Sequence, residues 1–360
     1  MTYVAGGRAQ ASDYNYFVSG NVSHPNVGLI WGRGYGKYGL GQDTTYVAPV
    51  AVGDLIRNDE WNNMDAVLAL TTQHQAVTTY TPSTYDPGFV SVIAGRPIKT
   101  FSHYAPYIQQ AYNNTGLVYS VTDSVPNLTT YTGYWGHTNA RTLSVTQTLS
   151  FSDADAARYY FNAGGKIKLS FTHTGGTTAR DSLWNTLCIA AGTVEIGYKN
   201  TKRLGGDSLA QYTALNANNG GYWANTAGNS LEHFRQFSAS NYYYNNYYNY
   251  PYNYSQSHAT VRPITNTYNY YNNYYYNDTL DYIQVLIKPK GDPGVSGGLG
   301  LKLEITTNFV NGTIVTPSGS DTVTGTTTVS LVKASPGRNY LNSDVPAYGT
   351  ISFIGTASLL

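Results

Sequence analysis

The sequence predicts a mainly β protein whose body is an antiparallel β-sandwich, covered by short lid helices and preceded by a small helical N-terminal module. Apolar and polar residues alternate along residues 141–151 and again along 166–172. This two-residue period is typical of strands that bury one face. Further alternating segments follow, separated by turn-forming residues, as in an all-β sandwich. They are predicted at residues 193–198, 281–288, 299–309, 326–333 and 348–353.

The segment between the first two strands predicts a short helix. Ser152 occupies an N-cap position and Asp155 follows three residues later, where the helix dipole favours negative charge. Gly164 and Gly165 end the helix, because glycine accepts the left-handed conformation that a helix end often needs. Arg158 is expected to face solvent.

A second lid helix, capped at its N-terminus, is predicted near residues 181–190 and ends at Gly192. It carries the only cysteine of the chain, Cys188, within an apolar run. A buried free cysteine packs like a small apolar side chain. We therefore expect neither a disulfide framework nor a reactive thiolate.

Residues 1–77 predict a helical attachment module. Ser12 is placed to cap one helix, and Asn58 to cap a second whose first turn carries Asp59 and Glu60. The predicted buried face of the second helix consists of Trp61, Met64, Val67, Leu68 and Thr71.

A glycine-rich segment at residues 28–41 separates the two helices and contains a G-x-G-x-x-G pattern starting at Gly34. The pattern invites comparison with nucleotide-binding loops. A strand should precede such a loop and a helix N-terminus should follow it, but neither is predicted here, and Tyr38 follows Lys37 where Ser or Thr is required. We interpret the segment as an aromatic loop against which a neighbouring subunit packs.

The composition excludes some classes of partner. The chain has 360 residues, enough for two or three domains or subdomains at roughly 100–200 residues each. Its 21 basic and 20 acidic residues give a net charge of +1, so no basic footprint for nucleic acid is predicted. Charged residues make up 11%, and 36 tyrosines and 37 glycines take their place. Tyrosine-rich surfaces of this kind are typical of adhesive or assembling proteins.

The remaining segments are assigned by composition. Residues 78–140 predict a linker, rich in Thr, Ser and Pro, followed by an irregular β segment. The sandwich body is predicted at 141–335 and a C-terminal strand segment at 336–360. The first residues resemble no signal peptide, and no run is long enough to span a bilayer, so we expect neither export by that route nor membrane insertion.

The tyrosine- and asparagine-rich tract at residues 242–282 predicts two ordered strand arms, 248–254 and 268–276. Tyrosine favours strands and stacks across them with about 0.2–1 kcal/mol per pair. Pro251 makes the first arm an edge strand or a kinked one. An exposed tyrosine ladder risks uncontrolled pairing unless an assembly covers it. The candidate assembly or glycan contacts are Trp31, Tyr35, Tyr38, Tyr248, Tyr250, Tyr252, Tyr254, Tyr270, Tyr274 and Tyr276.

No catalytic, cofactor or metal site is predicted. The seven histidines are scattered without metal-ligand spacing, and no Gly-x-Ser-x-Gly nucleophile motif occurs. A glycosidase needs two carboxylates on either side of the scissile bond. Asp153 and Asp155 are interpreted instead as helix caps, Glu195 and Glu304 as outward strand residues, and Asp281 as the end of the tyrosine tract.

Two groups of residues, in order along the chain, resemble a known family. The first comprises Ala11-Ser12-Asp13-Tyr14-Asn15, the glycine-rich residues 34–42, Val52-Gly53-Asp54, Trp61 and His74-Gln75, and the second is DAARYYFNAGGKI at 155–167. Both are similar to virion structural proteins of large tailed marine phages, including cyanophages. The resemblance covers residues 11–74 and 143–196, with a weaker similarity over 281–335. It implies a tail- or fibre-type particle component and supplies no catalytic residues.

The predicted function is therefore a non-enzymatic component of a phage virion, in the tail, baseplate or fibre, assembled in the host cytoplasm. Its partners are copies of itself and other virion proteins. One alternative is a glycan-binding adhesin or receptor-binding module whose tyrosine faces stack on host surface glycan. A second is an enzyme such as a depolymerase, with two acids in a cleft. Exposure of Tyr248, Tyr250 and Tyr252 distinguishes the adhesin from the assembly role.

Overall fold

The fold is described here from a computed structural model of the chain. The described residues are 9–19, 26–32, 39–42, 47–75, 101–136, 140–153, 155–206, 212–214, 230–237, 267–268, 275–276, 281–290, 302–312, 322–337 and 349–360.

Two antiparallel sheets form the body, as the sequence predicts. Sheet I has the order β1-β13-β4-β5-β6, and β2 also pairs with β13. Its strands are β1 (Val121–Asp123), β2 (Asn127–Thr132), β4 (Lys166–Thr174), β5 (Thr193–Ile196), β6 (Thr201–Leu204) and β13 (Thr326–Pro336). Sheet II has the order β14-β3-β12-β11-β8-β7. Its strands are β3 (Thr142–Ser150), β7 (Tyr212–Ala214), β8 (Leu231–Phe237), β11 (Tyr282–Lys290), β12 (Lys302–Val310) and β14 (Ser352–Leu359).

The main apolar core lies between the sheets. Both sheets contribute alternate residues to it, which confirms the predicted strand periodicity. Trp184 packs at its centre, with its ring centroid 4.8 Å from that of Trp135 and 5.9 Å from that of Phe309. The inward residues of β3 and β4 are Leu143, Val145, Leu149, Ile167, Leu169 and Phe171.

Helix α5 (Ala156–Asn162) follows β3 but differs from the prediction in two ways. Its N-cap is Asp155 and not Ser152, whose hydroxyl instead lies 3.3 Å from the carboxylate of Asp153. All seven residues of α5 are buried, so Arg158 is 1% exposed and stacks over the Tyr159 ring. The expectation of a solvent-facing arginine is wrong because this helix packs on every side.

Helix α6 (Ala179–Ala191) is capped as the sequence predicts, and Thr178 and Asp181 form a capping box at its N-terminus. At its other end Gly192 adopts a φ of 62°, which favours glycine. Cys188 is buried in the core, and burial raises the pKa of its thiol. Packing is thus the observed role of this cysteine.

The helical module contains four helices: α1 (Ala11–Val18), α2 (Val27–Trp31), α3 (Asn58–Gln75) and α4 (Phe101–Asn113). They share a second apolar cluster, which includes the predicted face of α3. α1 begins after Gln10, whose backbone N–H donates to Asp13 at 2.9 Å, so Ser12 is not its cap. α2 begins at Asn26, whose side chain accepts a hydrogen bond from Leu29.

The structure changes the predicted domain boundaries. α4 packs against α2 and α3, so the helical module extends past residue 77. β1 and β2 pair with β13, and β14 pairs with β3 along its whole length. The sandwich therefore draws strands from both 78–140 and 336–360.

The tyrosine tract is described only in part. β9 (Thr267–Tyr268) and β10 (Tyr275–Tyr276) pair antiparallel, with Tyr268 opposite Tyr275. The predicted arm at 248–254 and the linker residues 78–95 lie outside the described residues.

Candidate functional site

Of the ten residues predicted to contact a neighbouring subunit or a glycan, the structure describes Trp31 and Tyr276. Trp31 lies in α2 and is 2% exposed, packed in the core of the helical module. It is therefore unavailable to a neighbouring subunit, which corrects the prediction for this residue. Tyr276 forms part of β10, described through its backbone pairing with Thr267. Outside the described residues lie Tyr35, Tyr38, Tyr248, Tyr250, Tyr252, Tyr254, Tyr270 and Tyr274.

Asp181, in the first turn of α6, is the centre of a buried polar cluster. Its carboxylate accepts hydrogen bonds from the backbone N–H and hydroxyl of Thr178 at 2.8 and 2.7 Å, and from those of Thr324 at 2.6 and 2.8 Å. Burial alone would raise the pKa of Asp181, but these hydrogen bonds outweigh burial and hold the pKa below its usual range. The carboxylate is therefore ionised inside the fold.

His173 connects this carboxylate to a hydroxyl. Its Nε2 lies 3.3 Å from Asp181 and its Nδ1 lies 2.9 Å from the hydroxyl of Thr327. The order hydroxyl, imidazole, carboxylate is that of a hydrolase triad. However, Thr327, His173 and Asp181 are 1%, 2% and 3% exposed, so a substrate cannot reach the hydroxyl. The cluster joins α6 to β4 and β13 of sheet I.

Arg180 precedes Asp181 in α6, and its side chain bonds to sheet II. Its guanidinium lies 2.6 Å from the carboxylate of Asp281, which precedes β11 in sheet II. The same carboxylate accepts a 2.6 Å hydrogen bond from the backbone of Gly312, after β12. Both charged side chains are buried. Adjacent residues of α6 thus tie the helix to different sheets.

Two other buried polar residues cross the sandwich directly. Gln147 of β3 donates from Nε2 to the Thr129 hydroxyl and to the Val329 carbonyl, both at 3.2 Å. His233 of β8 lies 2.9 Å from the Thr201 hydroxyl on β6. One set of contacts joins β3 to β2 and β13, and the other joins β8 to β6, so the two sheets are held together at two separate places.

The helical module joins the sandwich through α3 and α5. Nε2 of His74 lies 2.7 Å from the carbonyl oxygen of Ala163, so this nitrogen carries the proton. The His74 carbonyl accepts from Tyr119 at 2.9 Å, and Asn162 donates to the Gly39 carbonyl at 2.7 Å. Burial lowers the pKa of His74 from 6.5 to about 4, although the bond to Ala163 opposes this. A neutral imidazole therefore lies at the joint between the two modules.

The outer face of sheet I carries a row of opposite charges. Lys168 lies 2.8 Å from Asp123, and Glu195 lies between Lys166 at 3.3 Å and Lys202 at 3.2 Å. Glu195 points outward as predicted, but the two lysines cover it and its side chain is 7% exposed. The pair of Lys168 with the half-exposed Asp123 contributes little to stability, as is usual for ion pairs at the surface.

Within the described residues, no group of three or more His, Cys, Asp or Glu side chains is arranged to hold a metal ion. None of the described helices has the length and apolar character needed to cross a membrane. No family model matches the sequence, and searches of curated proteins and of solved structures return no match. The resemblance to marine phage virion proteins stays a prediction.

Only some of these buried residues have a recognisable signal in the sequence. The Thr178-x-x-Asp181 spacing is a recognisable cap. The pair of Arg180 with Asp281 joins residues 101 positions apart, and no local pattern marks it. His74 belongs to a motif that the family resemblance quotes, but its role at the joint depends on α5, which packs there only in the folded chain.

Proposed function

We propose that the chain is a non-enzymatic structural protein of a phage virion, part of the tail, baseplate or fibre, that works by associating with copies of itself and with other virion proteins. One observation carries the proposal. Five of the ionisable side chains that the described fold buries, namely Asp181, His173, Arg180, Asp281 and His74, connect one structural element to another. They do not converge on a cleft.

Each of these side chains is already engaged in holding two elements together. Asp181 and His173 join α6 to sheet I, Arg180 and Asp281 join it to sheet II, and His74 joins the modules. A catalytic acid, base or nucleophile must come within hydrogen-bonding distance of its substrate. Groups this deeply buried, each bonded to a second structural element, support a structural role.

The surface supports self-association. Charged residues are 11% of the chain, less than half of the roughly 25% that is typical of soluble domains. Low charge weakens the repulsion between identical copies. The placement in a virion rests on the resemblance carried by residues 11–74 and 143–196.

Two measurements on the unmodified protein test the proposal. Sedimentation velocity across micromolar to submillimolar concentrations is expected to show a homo-oligomer. Mass spectrometry of purified particles of the phage that encodes the chain is expected to find its peptides at structural copy number. A monomer at every concentration contradicts the assembly role, and absence from the particles contradicts the location.

The adhesin alternative predicts a different result. A glycan array probed with the full chain would then give specific binding, and the triple variant Tyr248→Ala, Tyr250→Ala, Tyr252→Ala would lose it. Under the structural proposal the array stays negative.

A further inference from the structure

Strand β14 forms one edge of sheet II. It pairs with β3 from Ser352 to Leu359, and none of the other described strands pairs with it. An edge strand presents a row of backbone N–H and C=O groups that another strand can bind. With eight residues, β14 is the longest edge strand in the described part of the sandwich.

The other edges carry features that discourage such pairing. β6 has two adjacent cations, Lys202 and Arg203, and β7 is three residues long. β1 is also three residues long and ends in Asp123. Short length and charge are the usual means by which proteins protect sheet edges. β14 has neither: its eight residues, SFIGTASL, contain no charge and no proline.

The edge of sheet I on this side consists of β1 and β2, and β2, whose sequence is NLTTYT, contains no charge. β2 lies against β14, so closely that a Cβ added at Gly355 would lie 2.0 Å from the Thr129 hydroxyl oxygen. Each of the two strands carries an exposed apolar side chain, since Ile354 is 66% exposed and Leu128 is 62% exposed. Two uncharged strands, β2 and β14, thus lie together on the same side of the sandwich.

We propose that β14 pairs antiparallel with β14 of a second copy about a two-fold axis, so that sheet II continues across the two molecules. The inference deepens the proposed function, on whose self-association it rests. An open strand edge requires another strand, and antiparallel pairing of identical strands closes by two-fold symmetry.

The charge pattern favours a second copy over a foreign strand. Identical strands that pair about a two-fold axis place each exposed residue opposite a residue of the same set, so a charge near the axis would lie close to its own copy. The exposed row of β14, which is Ser352, Ile354, Thr356 and Ser358, contains none. The edge is therefore compatible with itself along its full length.

Lysine substitutions on the exposed row test the proposal. Ile354→Lys and Thr356→Lys each place a cation opposite its copy or diagonally next to it, depending on the register, and are expected to raise the dimer dissociation constant about tenfold or more, because like charges across paired strands repel. Thr306→Lys is the matched control, since Thr306 lies on the same sheet in β12, between Thr146 and Leu286. Sedimentation measures association, and circular dichroism checks the fold of each variant.

Single cysteines at positions 354, 356 and 358 give a test that leaves the edge uncharged. Directly opposed residues of antiparallel strands have Cα atoms about 4.5–5.5 Å apart, which suits a disulfide. Mild oxidation is expected to produce a covalent dimer at the position nearest the two-fold axis and none with Thr306→Cys. The native Cys188 is buried and takes no part.

The outcomes separate this inference from the proposed function. An unmodified chain that associates, together with lysine variants that associate equally well and cysteines that do not cross-link, overturns the β14 pairing and leaves self-association standing. An unmodified chain that stays monomeric at submillimolar concentration overturns both.

Discussion

The β-sandwich and the joint to the helical module are held by buried polar groups of opposite kinds. In the sandwich, Asp181 is a carboxylate whose pKa lies below its usual range, and Asp281 pairs with a guanidinium. At the joint, His74 is a neutral imidazole whose pKa is about 4. Asp181 and Asp281 therefore stabilise the sandwich as charged groups, whereas His74 stabilises the joint as a neutral one.

This difference predicts which of these groups loses its stabilising contribution first as the pH falls. An unfolded histidine binds a proton as the pH falls below 6.5, whereas His74 in the fold resists protonation until about pH 4. The stability that His74 contributes is complete above pH 6.5 and is lost between pH 6.5 and 4. Asp181 responds at lower pH. The stability that it contributes is present above the ordinary carboxyl pKa of 3.8 and is lost only below it. Mild acid thus weakens the joint before Asp181 is protonated.

The largest expected effect comes from removing the charge of Asp281. Asp281→Asn leaves Arg180 buried without its counter-ion, which is expected to lower the free energy of unfolding by about 3–5 kcal/mol. Asp123→Asn makes the same chemical change in the exposed pair with Lys168 and is expected to cost less than about 1 kcal/mol. Urea unfolding measures both. Equal losses would show that burial of the pair contributes nothing to the sandwich.

A change in pH tests the joint. Lowering the pH from 6.5 to 4 is expected to reduce the free energy by which His74 stabilises the joint by about 3 kcal/mol. Each tenfold difference in proton affinity between the unfolded and folded states corresponds to about 1.4 kcal/mol. Amide hydrogen exchange of α3 should accelerate over this range before that of β12. His74→Gln keeps a donor near Nε2 but does not titrate, so its α3 should lose this pH dependence. An unchanged pH profile in that variant contradicts the role of His74.

A smaller effect is expected at the second contact of the joint. Asn162→Ala removes the donor to the Gly39 carbonyl and is expected to cost about 1–2 kcal/mol. Asn113→Ala removes an exposed side chain whose amide oxygen accepts only from Gln109, and it should change stability by less than about 0.5 kcal/mol. Thermal unfolding compares the two. If the two variants have the same melting temperature, the Asn162 hydrogen bond does not stabilise the joint.

Local patterns in the sequence predicted much of the fold. The alternation in β3 and β4 and the cap of α6 depend on neighbouring residues, and the structure confirms them. Burial of single residues depends on distant ones. Arg158 and Trp31 are both inside the protein because other elements cover α5 and α2, and no residue near them in the sequence indicates this.

Among the elements that the sequence did not predict, three were missed for identifiable reasons. α4 contains Pro106, which ordinarily interrupts a helix. β8 has a register shift where it pairs with Val285 and Leu286, and the shift breaks the two-residue period by which strands are recognised. α2 is a single short turn within a glycine-rich segment. The candidate site was harder still, since its contacts join residues far apart in the chain.

The position of β3 in sheet II has a consequence for synthesis on the ribosome. Its two neighbours, β12 and β14, both follow it by roughly 150 residues or more. At about 5–20 residues per second, translation leaves β3 without either neighbour for roughly 8–30 s. Throughout that interval an uncharged strand with one apolar face is open to wrong partners. The nascent chain is therefore expected to need a chaperone until its last strands emerge.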